Sequence, residues 1–570
     1  MRKRASAQAR QALAASFLIA IQAMAAGSAS AQAPAQASPQ SQRGLPSMGD
    51  GADMTTSEER RLGDRIIREL YRDPDYIDDA VLNEYVQHLF MQLLKASRER
   101  GELSPELEER FAWEVLLGRD RTVNAFALPG GYFGVHLGLV AVVSTRDELA
   151  SVLAHELSHV TQRHISRLIA QQSRQTPLVL GAMVLGALAA SKNPGAAQAM
   201  MVGGQALAVQ NQLNFSRDME READRVGYSI MAPAGFAPQG FVSMFDKLQQ
   251  ANRLNDNGSW PYLRSHPLTT QRIADMHSRV PAGTPPAPPP TLEHAMVAAR
   301  ARVLMRPGVD AWRQWEAEPR TTGFASRPAA QRAAAWYAAV LSAVQLREVS
   351  AAREGLKSLD AVVRGDPAAE RQARLLAAEV DMAAGDVRMA AQRLAQAPAA
   401  GAGAAGAPGS APGGAAAEPP SAPASASLSI ADLERAERGG VMGGAGASVG
   451  ASGVGRPELI LRTQALLRAN ASAEMIGPLQ TWVATYPRDA TVWQLLAAVW
   501  QQQGDTLRSV RAEAEAQAAR YDYQAAVDRF RAGQDLSRKS AAASDYVEAS
   551  IIDTRLRAMQ SLLKEQAAER

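Results

Sequence analysis

The segment His155-Glu156-Leu157-Ser158-His159 constrains this chain more than any other feature. Histidines four apart on a helix share one face, so their imidazoles can grip a single metal ion. The glutamate beside the first histidine can then act on a metal-bound water without being a ligand. The pattern predicts a zinc peptidase, on condition that it lies on a helix and that a third ligand exists. The helix condition reads well. Thr145-Arg146-Asp147-Glu148 is a capping-box pattern, Leu149, Val152, Leu153, Leu157, Val160 and Leu168 follow at helical spacing, and no Pro or Gly interrupts Arg146 to Gln172. One long helix is expected over that span.

His164 lies five residues after His159, which is about 140° around a helix, so it points away from the metal face and reads as structural. Phe215 to Asp224 offers a better third ligand. Glu220 and Asp224 are four apart and share a helical face. One carboxylate can bind zinc while the other accepts a hydrogen bond from a ligating histidine. Glu222 is rotated by about 200° from Glu220 and reads as solvated.

HELSHVTQRH followed by FSRDMEREAD resembles the HtpX and CAAX-prenyl-endopeptidase group of zinc metallopeptidases, which are gluzincins. Asn124 to Gly131 is similar to the segment that these proteins carry shortly before the metal helix. The resemblance covers about residues 55–280. It implies one zinc ion per chain held by His155, His159 and Glu220, with Glu156 as general base and Asp224 as the aspartate completing the catalytic set. It also draws in His266, since a Ser265-His266-Pro267 segment followed by Arg272 is similar to one in soluble members of the group. His266 is therefore a candidate fourth ligand or regulator, either capping the open zinc position or stabilising the oxyanion, with an ordinary loop histidine as the alternative. Gly130 to His136 alternates like an edge strand, so Gly131, Tyr132 and Phe133 are expected to pair with an extended substrate. His136 reads as strand surface.

Arg2, Lys3, Arg4 and Arg10 precede an apolar run from Gln11 to Ala26, and Ala29-Ser30-Ala31 follows, the layout of a secretory signal peptide. Without the four basic residues of 1–31, 57 basic residues face 58 acidic ones, so nothing suggests nucleic-acid binding. The chain holds no Cys, which fits an oxidising compartment and rules out a lipid anchor on cysteine. The apolar run Pro177 to Ala190 spans about 21 Å as a helix, too short for a bilayer core of about 30 Å. It reads as a buried or interfacial hairpin that can touch a membrane peripherally.

The expected organisation is a signal peptide (1–31), a flexible segment (32–54), a metallopeptidase domain (55–280), a Pro-rich linker (281–291), helical repeats (292–396), a low-complexity stretch (397–455) and further repeats (456–570). Leu375 to Ala397, with a turn at Gly385-Asp386, and the segments beginning at Trp493 and Asp522 resemble tetratricopeptide repeats. The fold expected is mainly α with a small β-sheet: a zincin-type metallopeptidase domain followed by an α-helical tetratricopeptide-like repeat domain. This combination, with Leu45 to Gly49 and Arg61 to Asp64, is similar to the periplasmic β-barrel assembly-enhancing protease (BepA-like) group. The resemblance implies a periplasmic endopeptidase with an assembly role. Its substrates would be misfolded or stalled outer-membrane proteins, and the repeats would engage the assembly machinery. A repeat scaffold with minor proteolysis and a membrane-associated peptidase are the alternative readings.

Overall fold

The computed structural model describes residues 54–172, 217–253, 259–281, 283–284, 287–395, 455–539 and 545–568. The expected signal segment 1–31, the segment 32–53, the apolar run 177–190 and the low-complexity residues 397–454 lie outside the described residues.

The first part sets a small sheet among helices. Helix α1 (Thr56–Leu70) leads through β1 (Tyr76–Ile77) to α2 (Ala80–Glu99) and the short α3 (Pro105–Arg110). Strands β2 (Glu114–Gly118), β3 (Ala125–Leu128) and β4 (Tyr132–His136) follow, then α4 (Leu137–Val142) and α5 (Arg146–Thr161). Beyond them lie α6 (His164–Gln172), α7 (Arg217–Met231), α8 (Gln239–Arg253), α9 (Tyr262–Ser265) and α10 (Thr270–Arg279). The sheet order is β1-β2-β4-β3, with β2 parallel to β4 and β3 antiparallel to β4. Gly130 and Gly131, with φ of 77° and 79°, make the hairpin turn between β3 and β4, where a side chain would be strained.

This order corrects the expectation that Gly131, Tyr132 and Phe133 form an edge. Gly131 lies in the turn, while Tyr132 and Phe133 lie on a strand paired on both sides, Tyr132 with Glu114 and Leu128 and Phe133 with Val115 and Ala127. The outermost strand next to the metal helix is β3. The alternation was real, but alternation records which faces a strand presents and not how many neighbours it has. His136 is likewise not at the surface. It is 4% exposed, and its Nδ1 lies 2.8 Å from the Thr122 hydroxyl.

Gly134 in the middle of β4 lies under the Phe126 ring, where an added Cβ would come within 2.2 Å of ring carbon. Gly134→Ala is therefore expected to lower the unfolding free energy by about 1–3 kcal/mol through overpacking. Denaturant titration of the two proteins measures this, and an unchanged midpoint would contradict the close fit.

The expected single helix over 146–172 is broken. Helix α5 ends at Thr161, Arg163 takes a left-handed φ of 52°, and α6 starts at His164. No Pro or Gly marks the place. Arg163 is held by tertiary partners, donating to the Glu59 carboxylate at 3.1 Å and to the Met54 carbonyl.

Beyond residue 291 the described chain is helical: α11 (Leu292–Leu304), α12 (Val309–Ala317), α13 (Ala329–Gln345), α14 (Val349–Val363), α15 (Pro367–Ala384), α16 (Val387–Ala395), α17 (Arg456–Arg468), α18 (Ile476–Thr485), α19 (Ala490–Gln502), α20 (Thr506–Ala519), α21 (Tyr523–Ser537) and α22 (Asp545–Ala568). Most of these helices pack on a sequence neighbour. Asp366, Asp489, Asp505 and Asp522 cap α15, α19, α20 and α21, each accepting a hydrogen bond from a backbone N–H in the first turn. Gly385, at φ 85°, closes α15 where no side chain is needed. Ala378 and Ala390, both fully buried, let α15 and α16 approach. Helix α11 packs on α4 and α2, and α17 packs on α2, so the helical part leans directly on the sheet-bearing part. Among the described residues no helix is long and apolar enough to cross a membrane.

Candidate metal centre

Thr145 caps α5 by accepting from the Glu148 N–H at 3.1 Å. The Glu148 carboxylate accepts from the N–H of Ser144 rather than of Thr145, and also from Lys247, at 2.6 Å each. The helix so started runs through the core, with His155, Glu156 and His159 at most 2% exposed. The two histidines present Nε2 atoms 3.0 Å apart.

Helix α7 packs against α5 and brings in the carboxylates. Glu220 places Oε2 3.4 Å from His155 Nε2 and Oε1 3.5 Å from His159 Nε2. Asp224, one turn on, meets the other side of His155, with Oδ1 2.9 Å from Nδ1. By these three distances Glu220 lies in the donor cluster and Asp224 behind His155. Glu222, expected to be solvated, instead lies 3.0 Å from His164 Nε2 and accepts from Arg167 at 2.8 Å.

His266 ends α9, its ring stacked on Tyr262 at a centroid distance of 4.6 Å. Its Nδ1 lies 3.0 Å from Glu220 Oε1 and 3.3 Å from His155 Nε2, and its Nε2 lies 3.4 Å from Glu156 Oε1. Arg272 on α10 completes the site. It donates to both Asp224 oxygens at 2.6 and 2.8 Å, and its Nη1 lies 2.8 Å from Glu220 Oε2. Sequence reasoning noted Arg272 only as a neighbour of His266. No local signal marks its role, because Asp224 lies 48 residues away in sequence.

His155, His159, Glu220 and His266 thus bring four ligand atoms within 4.8 Å of one another. A tetrahedral shell with bonds of about 2.0–2.1 Å places its donors roughly 3.3–3.4 Å apart. Five contacts within the set, counting both Glu220 oxygens, run from 3.0 to 3.5 Å, and all four donors lie within 4.8 Å, so an ion of this kind fits after some adjustment of the side chains.

The charges within the cluster compensate one another. Burial opposes a charge on His155, but the Asp224 and Glu220 carboxylates outweigh it and hold the ring up to about 10. Burial keeps His159 far below the usual imidazole range. Burial also works against ionised Glu220, yet His266 and His155 hold it well below the usual carboxylate range. Glu156 stands apart, because burial pushes its carboxyl up. Its Oε2 accepts from the Ala127 N–H on β3 at 3.0 Å, while its Oε1 accepts no hydrogen bond among the described residues. A buried carboxylate fixed by one oxygen and available at the other suits proton transfer.

Comparison with known proteins agrees with this geometry. Residues 86–280 match the model of peptidase family M48. A putative beta-barrel assembly-enhancing protease of Vibrio cholerae is 35% identical over 274 residues, 47% of this chain and 53% of that protein. The beta-barrel assembly-enhancing protease of Escherichia coli is 30% identical over 324 residues, 56% of this chain and 64% of its own length. The mitochondrial metalloendopeptidase OMA1 of Saccharomyces cerevisiae is 27% identical over 201 residues, 34% of this chain and 55% of its own length. The chain thus spans between about half and two thirds of the length of these relatives. The segment that holds His155, Glu156, His159, Glu220, Asp224, His266 and Arg272 is a domain of peptidase family M48.

Proposed function

We propose that this chain is a zinc-dependent endopeptidase of the periplasm that removes misfolded or stalled outer-membrane proteins and assists their assembly. The observation that carries the peptidase reading is the buried set of four closely spaced donors beside the half-satisfied carboxylate of Glu156. The names of the Vibrio and Escherichia relatives support the client class, and the signal-like segment at 1–31 supports the compartment.

In this reading His155, His159 and Glu220 hold zinc, with Asp224 and Arg272 fixing their orientation and charge. A bound zinc ion supplies Lewis acidity, lowering the pKa of a coordinated water and polarising a peptide carbonyl. Glu156 takes the proton of the attacking water at Oε1 and later delivers it to the leaving amine. The Ala127 N–H holds the other oxygen so that the carboxylate cannot swing away. An extended client is expected to lie alongside β3, the outermost strand here, by β-augmentation.

His266 supplies a fourth donor to the cluster, where a hydrolytic site keeps a position open for water. The arrangement described is thus a closed one, and His266 with the segment before it must withdraw for turnover. That segment also reaches the start of β3, since the Val123 N–H donates to the Ser259 carbonyl at 2.8 Å. We read the helices beyond residue 291 as tetratricopeptide-like repeats that select clients and dock on the assembly machinery. The apolar run 177–190 is a proposed peripheral membrane contact.

The test is cleavage of an unfolded outer-membrane β-barrel protein by the purified chain. A zinc chelator is expected to stop it and added zinc to restore it. Cleavage that ignores the chelator overturns the metal assignment, and a chain that binds but never cuts the client supports a scaffold instead.

A further inference from the structure

We propose that His164 is a positioning residue for the metal centre: it fixes the tautomer and ring orientation of His159, and Glu222 fixes His164 in turn. The proposal rests on the reading of His155, His159 and Glu220 as ligands. His164 is fully buried, and its Nδ1 lies 2.9 Å from the Nδ1 of His159. Of these two facing nitrogens one donates and the other accepts. His159 points Nε2 into the donor cluster, 3.0 Å from His155 Nε2, so that atom keeps its lone pair and Nδ1 carries the proton. His164 therefore accepts at Nδ1 and carries its own proton on Nε2. That Nε2 donates to Glu222 Oε2 at 3.0 Å, and Glu222 is anchored by Arg167 at 2.8 Å. Each hydrogen bond in the series has only one polarity that leaves His159 Nε2 available to a metal.

The two histidines of the motif are thus supported differently. His155 is backed by the Asp224 carboxylate at 2.9 Å, the common arrangement for a metal-ligating histidine. His159 is backed by a neutral imidazole, with the carboxylate one step further out. The break in the helix makes this contact. On an unbroken helix His164 would sit about 140° away from His159. The left-handed Arg163, tied to Glu59, re-aims the chain so that the two rings meet at a centroid distance of 4.9 Å.

The test is the zinc affinity of the full chain, read by competition with a chromophoric chelator, beside the unfolding temperature of the metal-free protein. His164→Leu keeps bulk but loses the acceptor and is expected to weaken zinc binding about 10–100-fold. His164→Asn places an amide oxygen near the position of Nδ1 and is expected to stay within about threefold of wild type. Glu222→Leu, at a partly exposed position, is expected to weaken zinc binding by about tenfold with the metal-free unfolding temperature unchanged. It keeps the question decidable if the Leu variant of His164 does not fold. A Glu222→Leu or His164→Leu protein that holds zinc as tightly as wild type overturns the proposal. So does an Asn variant that loses zinc as fully as the Leu variant, because that is the pattern of a packing role. A wild-type chain with no zinc affinity is a different failure, since it overturns the metal reading itself.

Discussion

Glu156→Gln is expected to lower kcat/KM for peptide cleavage by about 10²–10⁴-fold, the range for a lost general base, while zinc content stays at the wild-type level. The two halves of this expectation come from different contacts. Gln is isosteric, and its amide oxygen can still accept from the Ala127 N–H that now holds Glu156 at 3.0 Å, so the helix and the strand keep their spacing. The donor cluster is His155, His159, Glu220 and His266, without Glu156, so the metal keeps its ligands. What disappears is the second oxygen, which is buried, accepts no hydrogen bond among the described residues and lies 3.4 Å from His266 Nε2. An amide there cannot take a proton. Parallel metal analysis and steady-state kinetics check the pair. Turnover within a few-fold of wild type would remove Glu156 from the chemistry, and loss of zinc would place it among the ligands.

The largest effect on stability is expected at Arg456, which is not part of the donor cluster. Its guanidinium is fully buried and donates to both oxygens of Asp489, at 2.7 and 3.0 Å, and to both oxygens of Asp78, at 2.9 and 2.7 Å. Burial works against the Asp78 carboxylate, but Arg456 holds it down to about 2. Asp489 also caps α19 and accepts from the Trp482 indole at 2.9 Å. Arg456→Ala leaves the buried Asp489 and the largely buried Asp78 without this cation, and is expected to cost about 3–5 kcal/mol. Adding Asp78→Asn to Arg456→Ala should recover part of that loss, because one uncompensated charge is then gone. Urea unfolding of the three proteins measures it. A loss below about 1 kcal/mol, the range for exposed pairs, would show that the contact is solvated in solution.

Among the described residues Arg456 is one of three such clamps. Arg300 joins Asp79 to Glu379, and Arg371 joins Glu84 to Glu458. Each arginine comes from the helical part, and each takes one acid from residues 78–84, at or near the start of α2, and one from the helical part itself. Together with the packing of α11 and α17 on α2, they tie the helices to the peptidase domain.

The chain announced the chemistry of its site more clearly than its architecture. His155, Glu156 and His159 were legible because helical spacing puts two histidines on one face, and the apolar positions around them fix that face toward a core. Glu220 and Asp224 were legible by the same spacing. His266 was marked by its Ser-His-Pro setting, although only the fold shows Nδ1 reaching the cluster. The features missed all depend on contacts distant in sequence. The helix break at Arg163 has no local cause, because Glu59 and Met54 create it from more than a hundred residues away. That break turned His164 from a side chain on the wrong face into the partner of His159. Glu222 was read as solvated for the same reason, since His164 was not expected beside it. The flanking of β4 by β2 could not be read from alternation, and the arginine clamps join residues up to 378 apart.

The central claim, one zinc ion held by the H-E-x-x-H helix and Glu220, is tested most directly by anomalous diffraction at the zinc edge from crystals of the full chain. The expected result is a single strong peak about 2.0–2.2 Å from His155 Nε2, His159 Nε2 and Glu220. Loss of zinc at this position in Glu220→Ala is expected as well. No peak at the cluster, or a peak bound by other residues, would contradict the account.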